Sequence, residues 1–226
     1  MIVKFADVII KVNNKYSYVE EMYKNYVTDE KSIDFEVSVN DEEISAEDDY
    51  GYDKGYLESL AIYRKIAEMM PKYNGFLLHG VLMNVDGTGI MLLAKSGVGK
   101  TTHTMLWKEL LGDKCKIVNG DKPIVRIIDG KIYGYGTPYG GKEGFNLNEK
   151  VEISHICFIE RSRDNVVTEC NKPLEGLLTQ IYMSKVSGYL NVLPILSEFI
   201  RKVDFHIIGC NMEKEAAIVA KKAILG

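Results

Sequence analysis

The sequence predicts an α/β fold, and three observations carry that prediction. Two apolar runs, GFLLHGVLMNV at 75–85 and GIMLLA at 89–94, flank the tight-turn residues Asp86-Gly87-Thr88. Apolar runs on either side of Asp-Gly read as two strands of a hairpin. The second run leads through a short glycine-bearing segment into an amphipathic stretch, which predicts a helix from about Lys100 to Leu111. Strand-like and helix-like segments then share the rest of the chain. KIV (116–118), PIVRII (123–128) and VEISHICFIE (151–160) read as strands, with Asp129-Gly130 as a second hairpin turn. The last quarter reads as helices over about 172–183, 193–202 and 212–224, with the strand VDFHIIG between the last two.

The N-terminal part is patterned differently. Residues 1–12 alternate as a strand, and Ser17-Tyr-Val-Glu20 has the form of a capping box opening a short helix. Ile33, Phe35, Val37 and Val39 alternate with polar neighbours, as a half-buried strand does. From Asp41 to Asp53 the chain is strongly acidic, which predicts a solvated loop or short helix; a cation or basic partner has no supporting ligand spacing. Tyr56, Leu60, Tyr63 and Ile66 recur at helical spacing to about residue 70, a core-facing stripe. These residues divide the chain into an N-terminal β/α elaboration over 1–54 and a larger domain over 55–226. No Pro/Gly/Ser linker separates them, so one compact unit is equally consistent.

Bulk properties bound the function. The 226 residues are enough for one well-packed domain with a small appended lobe. A 46% hydrophobic and 27% charged composition is that of a soluble globular protein. A formal charge of −4 offers no global basic field to nucleic acid or to an acidic membrane. Cys115, Cys157, Cys170 and Cys210 form no C-x-x-C pair, which argues against zinc or a disulfide framework and for reduced thiols in a cytosol. The N-terminus lacks a signal-peptide core, and no apolar run is long enough to span a bilayer. A cytoplasmic protein is expected.

The sharpest motif is Ala94-Lys-Ser-Gly97-Val-Gly99-Lys100-Thr101, a Walker A pattern with Ala94 in place of its first glycine. Its chemistry needs each part. Gly97 and Gly99 let the backbone curl so that successive N–H groups point at phosphate oxygens. The helix that follows adds its positive N-terminal end. Lys100 reaches the outer phosphates and the Thr101 hydroxyl ligates Mg²⁺. Ala94 is tolerated if that position keeps negative φ. Nucleotide contacts are therefore expected on Ser96, Gly97, Val98, Gly99, Lys100, Thr101 and Thr102, with ATP and Mg²⁺ as the ligands.

Such a loop needs a nearby carboxylate for metal or proton work. Asp121, in KIVNGDKPIV, is the nearest candidate, although a turn Asp beside Lys-Pro is also ordinary turn chemistry. Asp129 is explained by its hairpin. His79 lies within FLLHGVL, where a lone histidine is more often a core residue than a catalytic one. His103, two residues past Thr101, is placed to cap the helix or touch nucleotide, while His155 and His206 sit in strand patterns and read as structural.

The stretch LHGVLMNVDGTGIMLLAKSGVGKTT resembles the core of HPr kinase/phosphorylase, whose P-loop architecture is shared with phosphoenolpyruvate carboxykinase. SGVGKTTHTMLW, VNGDKP, YGTPYGGKEG and CFIERSRDN are similar to segments of small bacterial HPr-kinase-like proteins, over roughly residues 55–225. The resemblance implies a mixed, partly antiparallel sheet flanked by helices. It implies that His79 and Asp121 act together, with a carboxylate taking the proton of a serine hydroxyl or holding metal. It also implies self-association. The family's enzymes carry two adjacent acids in that turn, where this chain has Gly120-Asp121, and the C-terminal loop that supports phosphorolysis has no convincing counterpart. Lys142, in the glycine-rich GTPYGGKEG, is an anion or acceptor contact or simply a surface lysine. The expected activity is transfer of the γ-phosphoryl of Mg-ATP to a hydroxyl of a protein, peptide or metabolite. A non-catalytic nucleotide sensor and carboxykinase chemistry are the rivals, the latter disfavoured by the short chain.

Overall fold

A computed structural model describes residues 1–48, 50–184 and 187–226 of the chain. Two compact units emerge, Met1–Tyr73 and Asn74–Gly226. The division falls after the helix starting near residue 54, not before it, because that helix packs on the short helices that precede it in the chain.

The first unit holds β1 (Ile2–Phe5), β2 (Val8–Asn13), α1 (Ser17–Tyr23), β3 (Phe35–Ser38), α2 (Asp41–Ser45) and α3 (Lys54–Met69). The run expected as one strand over 1–12 is a hairpin. Ala6 and Asp7 take φ of 50° and 57° and turn β1 antiparallel onto β2, the geometry a two-residue hairpin turn needs. β3 then pairs parallel to β2. The capping box expected at Ser17 is absent: Tyr16 is the N-cap of α1 and makes no side-chain cap bond. A buried carboxylate secures that junction instead, since Glu58 of α3 accepts from the N–H groups of Lys15 (2.6 Å) and Tyr16 (2.9 Å). The acidic run does form a helix, α2, and there a genuine capping box exists between Asn40 and Glu43. The unit's core is aromatic, with Phe5 meeting Tyr23 and Tyr26 edge-on at 5.0 and 5.2 Å.

The second unit is built on a nine-stranded mixed sheet. Its strands are β4 (Gly75–Leu77), β5 (Val81–Val85), β6 (Thr88–Leu93), β7 (Cys115–Asn119), β8 (Ile124–Ile128), β9 (Lys131–Tyr135), β10 (Lys150–Arg161), β11 (Val166–Glu169) and β12 (Asp204–Cys210). The order is β4-β8-β9-β10-β6-β5-β7, with β12 on β10 and β11 on β12. Among the described residues of this sheet, β10–β6 and β10–β12 are the parallel pairs and the other strand pairs are antiparallel. β10 makes the sheet curl, because residues 150–152 pair with β9 while the rest pairs with β6 and β12. The Asp86-Gly87 and Asp129-Gly130 hairpins form as expected, each with positive φ at both residues.

Helices α4 (Lys100–Leu111) and α7 (Lys214–Leu225) cover one face around Trp107, Met83 and Ile208. On the other, α5 (Pro173–Leu178) and α6 (Leu193–Ile200) enclose a core with Phe76, Leu82 and Phe199. α5 is shorter than the helix expected over 172–183. The chain leaves the helix to bridge back to the sheet, with Ile181 opposite Leu78 and the Tyr182 N–H on the Leu77 carbonyl. That return is what carries a side chain from the C-terminal half to the site.

Candidate functional site

β6 ends at Leu93, and the next six residues turn back on themselves before α4 begins. Gly97 and Gly99 hold φ of 77° and 128°, values that a residue with a Cβ rarely adopts. Ala94 is not among the positive-φ residues, which meets the condition for replacing glycine there. A Cβ built on Gly97 or Gly99 would meet nothing within 4 Å, so the loop is uncrowded at both glycines. Lys100 Nζ donates to the Ala94 carbonyl across the loop at 2.8 Å. Burial lowers its pKa, an effect Asp121 partly offsets. Arg161, at the end of β10, donates through its guanidinium to the carbonyls of Gly97 (2.5 Å) and Val98 (3.3 Å). Those two bonds turn the loop's carbonyls toward the arginine. Ser96, Gly97 and Thr102 are exposed, and Val98, Gly99, Lys100 and Thr101 half-buried.

Asp121 stands across from this loop because β7 ends in a structured turn. Buried Asn119 accepts from the N–H groups of Asp121 (3.1 Å) and Lys122 (2.8 Å), while its amide donates to the Thr137 carbonyl at 2.9 Å. His79 is not in a strand interior as its apolar run suggested. It lies in the link between β4 and β5, half-exposed, because the chain breaks at Leu78–Gly80. There its Nε2 is 3.2 Å from Asp121 Oδ1, and Lys122 Nζ is 3.7 Å from Oδ2. Burial alone pushes the Asp121 carboxyl up. The His79 hydrogen bond and the charges of Lys122, His79 and Lys100 outweigh it and hold the group below its ordinary value.

Gln180 completes the row. With its amide nitrogen turned inward, it donates toward His79 Nδ1, the His79 carbonyl and the Ala94 carbonyl, each at 3.2 Å. In the neutral ring, an accepting Nδ1 puts the proton on Nε2, which faces Asp121 Oδ1. The Gln180 amide thus touches both the histidine and the first residue of the loop. The sequence singled out neither Gln180, Arg161 nor Lys122. Gln180 and Arg161 reach the site through pairings sixty or more residues apart, which leave no local pattern.

The turn Gly141–Gly144 passes close beside Asp121. The position a Cβ would take on Gly141 is 3.2 Å from Asp121 Cβ and 3.7 Å from Glu143 Oε2. Lys142 and Glu143 are both exposed on this turn. Gly120 itself has no room for a side chain, since a Cβ would run into the Gly140 carbonyl.

His103 does not face nucleotide. It is 2% exposed beneath α4, and its Nε2 accepts from Trp107 Nε1 at 3.1 Å. Burial lowers its pKa to about 4, so between pH 6.5 and 4 the unfolded chain takes up a proton that the folded chain refuses. Stability from this group is present above about pH 6.5 and falls by about 1.4 kcal/mol per pH unit as the solution is acidified through that window. Thermal unfolding of the parent and of His103→Gln should therefore differ in pH dependence, the parent losing about 2 kcal/mol more between pH 7 and 5. Equal slopes would show the ring to be solvated. His155 and His206 pair across β10 and β12 at 3.2 Å, far from the loop in sequence, as strand residues.

Among the described residues, no three His, Cys, Asp or Glu side chains are gathered to hold a metal unaided, and no helix is long and apolar enough to cross a membrane. Mg²⁺ in nucleotide sites takes one or two carboxylates and draws its other ligands from phosphate and water; the Thr101 hydroxyl and the Asp121 carboxylate are oxygen donors of the kind such an ion takes. Fold and site define a mixed α/β protein with a glycine-bearing strand–loop–helix turn opposite a histidine–aspartate pair. No protein-family model matches the chain, and no curated protein matches it. Among solved structures it is similar to the Hpr(Ser) kinase/phosphatase from Coxiella burnetii, at 9% identity and a TM-score of 0.40, over 66% of this chain and 87% of that one. A likeness at that level bears on neither chemistry nor substrate.

Proposed function

We propose that the chain is an ATP-dependent phosphotransferase of the HPr-kinase-like type, acting on a hydroxyl acceptor. The observation that carries the reading is the link between the loop and the pair: the Gln180 amide reaches both the Ala94 carbonyl and His79 at 3.2 Å, and His79 Nε2 lies 3.2 Å from Asp121 Oδ1. Bound Mg-ATP would supply the phosphoryl group and neutralise charge on it. The chain's own residues do the rest. Loop amides and Lys100 hold phosphate oxygens, and Thr101 with Asp121 holds the cation. A carboxylate kept below its ordinary pKa is a strong charge and a weak base. Asp121 therefore orients the acceptor O–H and receives its proton only as the O–P bond forms and the bond to the leaving diphosphate breaks. In such loose transfers positioning outweighs proton abstraction.

The test is calorimetric titration with ATP and Mg²⁺. The parent should take up nucleotide and Lys100→Ala should lose at least an order of magnitude in affinity, since a charge-assisted bond to phosphate contributes about 1.5–3 kcal/mol. Failure of the parent to bind ATP, ADP or GTP rejects the reading. Binding without turnover on any hydroxyl acceptor leaves a nucleotide sensor.

A further inference from the structure

The first unit carries a surface feature that phosphoryl transfer does not use. Residues 1–73 contain sixteen Asp and Glu against nine Lys and Arg, a net charge of −7 within a chain whose total is −4. The acidic stretch alone suggested no ligand, and the structure explains part of it as internal pairing. Asp41 bonds Lys15, Glu43 bonds Lys65 and Glu47 bonds Arg64. Asp48 and Asp53 are different. Asp48 Oδ1 accepts from the N–H groups of Tyr50 (3.2 Å), Gly51 (2.6 Å) and Tyr52 (3.3 Å), and Asp53 Oδ1 from Gly55 at 2.8 Å. These carboxylates tie down a loop that presents aromatic rings.

The rings form a connected string. Tyr50 meets Tyr52 at 6.1 Å, Tyr52 meets Tyr56 at 5.2 Å, and Tyr56 meets Tyr18 at 6.1 Å, all edge-to-face. Tyr18 is 42% exposed, Tyr52 53% and Tyr50 82%. Gly55 lets α1 approach: a Cβ there would lie 2.6 Å from Tyr18 Cβ and 3.1 Å from Asp53 Oδ1. The Asp53 carboxylate is thus set beside the aromatic string. Exposed rings with negative faces beside fixed carboxylates suit a cation, above all a guanidinium or ammonium on a flexible stem. Tyrosine also contributes rigid contact area at low entropic cost, which makes clustered exposed tyrosines a binding feature more than a solubility one.

We propose that the Tyr18–Tyr56–Tyr52–Tyr50 string, flanked by Asp53 and Asp48, is a docking surface for an extended peptide segment bearing arginine or lysine. The surface lies wholly in the first unit and does not depend on the phosphotransferase reading. The probe is a fluorescein-labelled octa-arginine peptide titrated with the full-length protein, followed by anisotropy at low salt and at 0.15 M. The parent should bind it and should ignore an octa-glutamate peptide. Tyr50→Leu/Tyr52→Leu leaves net charge and apolar bulk in place while removing two π faces, and should weaken binding about tenfold. Both side chains are exposed, so an unchanged melting temperature confirms that the variant is folded. Octa-arginine binding that is equal in parent and double variant would overturn the proposal, because the attraction would then be a diffuse field. Absence of binding by the parent at low salt would overturn it as well.

Discussion

Asp121→Asn should lower turnover by about 10²–10⁴-fold while nucleotide still binds. The substitution preserves shape, and an asparagine oxygen can still accept from His79 Nε2, which is 3.2 Å away in the parent. What disappears is the charge. Asp121 sits between His79 and Lys122 and feels Lys100 across the site, so the neutral variant leaves three basic groups facing one another with no anion between them. It can neither hold a cation beside the phosphate nor receive a proton. Single-turnover assays with enzyme in excess, paired with calorimetry, separate the two effects. Parent-like turnover in the asparagine variant would remove Asp121 from the chemistry. Because the carboxyl titrates below its ordinary range, the parent's activity should not fall on its account until the solution is more acidic than an ordinary aspartate requires.

How much of this was legible in the sequence depends on how local its cause is. The strand–loop–helix at 88–111 could be read because each constraint is a neighbour's: glycines at positive φ, an apolar strand before, an amphipathic segment after. The two Asp-Gly hairpins were legible for the same reason. Ser17 misled because the S-x-x-E pattern is indifferent to which residue stands outside the helix, and Glu58, about forty residues away, holds the Lys15 and Tyr16 N–H groups just before it. β11 went unseen since an exposed edge strand reading VVTE has no apolar face to alternate. At the site, His79 and Asp121 were named, yet the groups that orient them come from elsewhere. Gln180 arrives on the return from α5, and Arg161 at the far end of β10. No window of sequence contains those meetings; sheet order creates them.

Gly120→Asp would place a second acid next to Asp121. It is expected to damage the protein. The Gly120 N–H donates to the Phe145 carbonyl at 2.8 Å, and a Cβ would press on the Gly140 carbonyl and come within 3.2 Å of Phe145 Cβ. Backbone is what gives way there, and it is tied down on both sides: Asn119 bridges Asn146, and the Leu147 N–H donates to the Val118 carbonyl at 2.9 Å. Forcing atoms into such a contact costs about 1–3 kcal/mol, or a fall of several degrees, at about 2–4 °C per kcal/mol for a chain of this size. Gly120→Ala isolates the steric part, and both variants should melt below the parent; an alanine variant as stable as the parent would refute the contact.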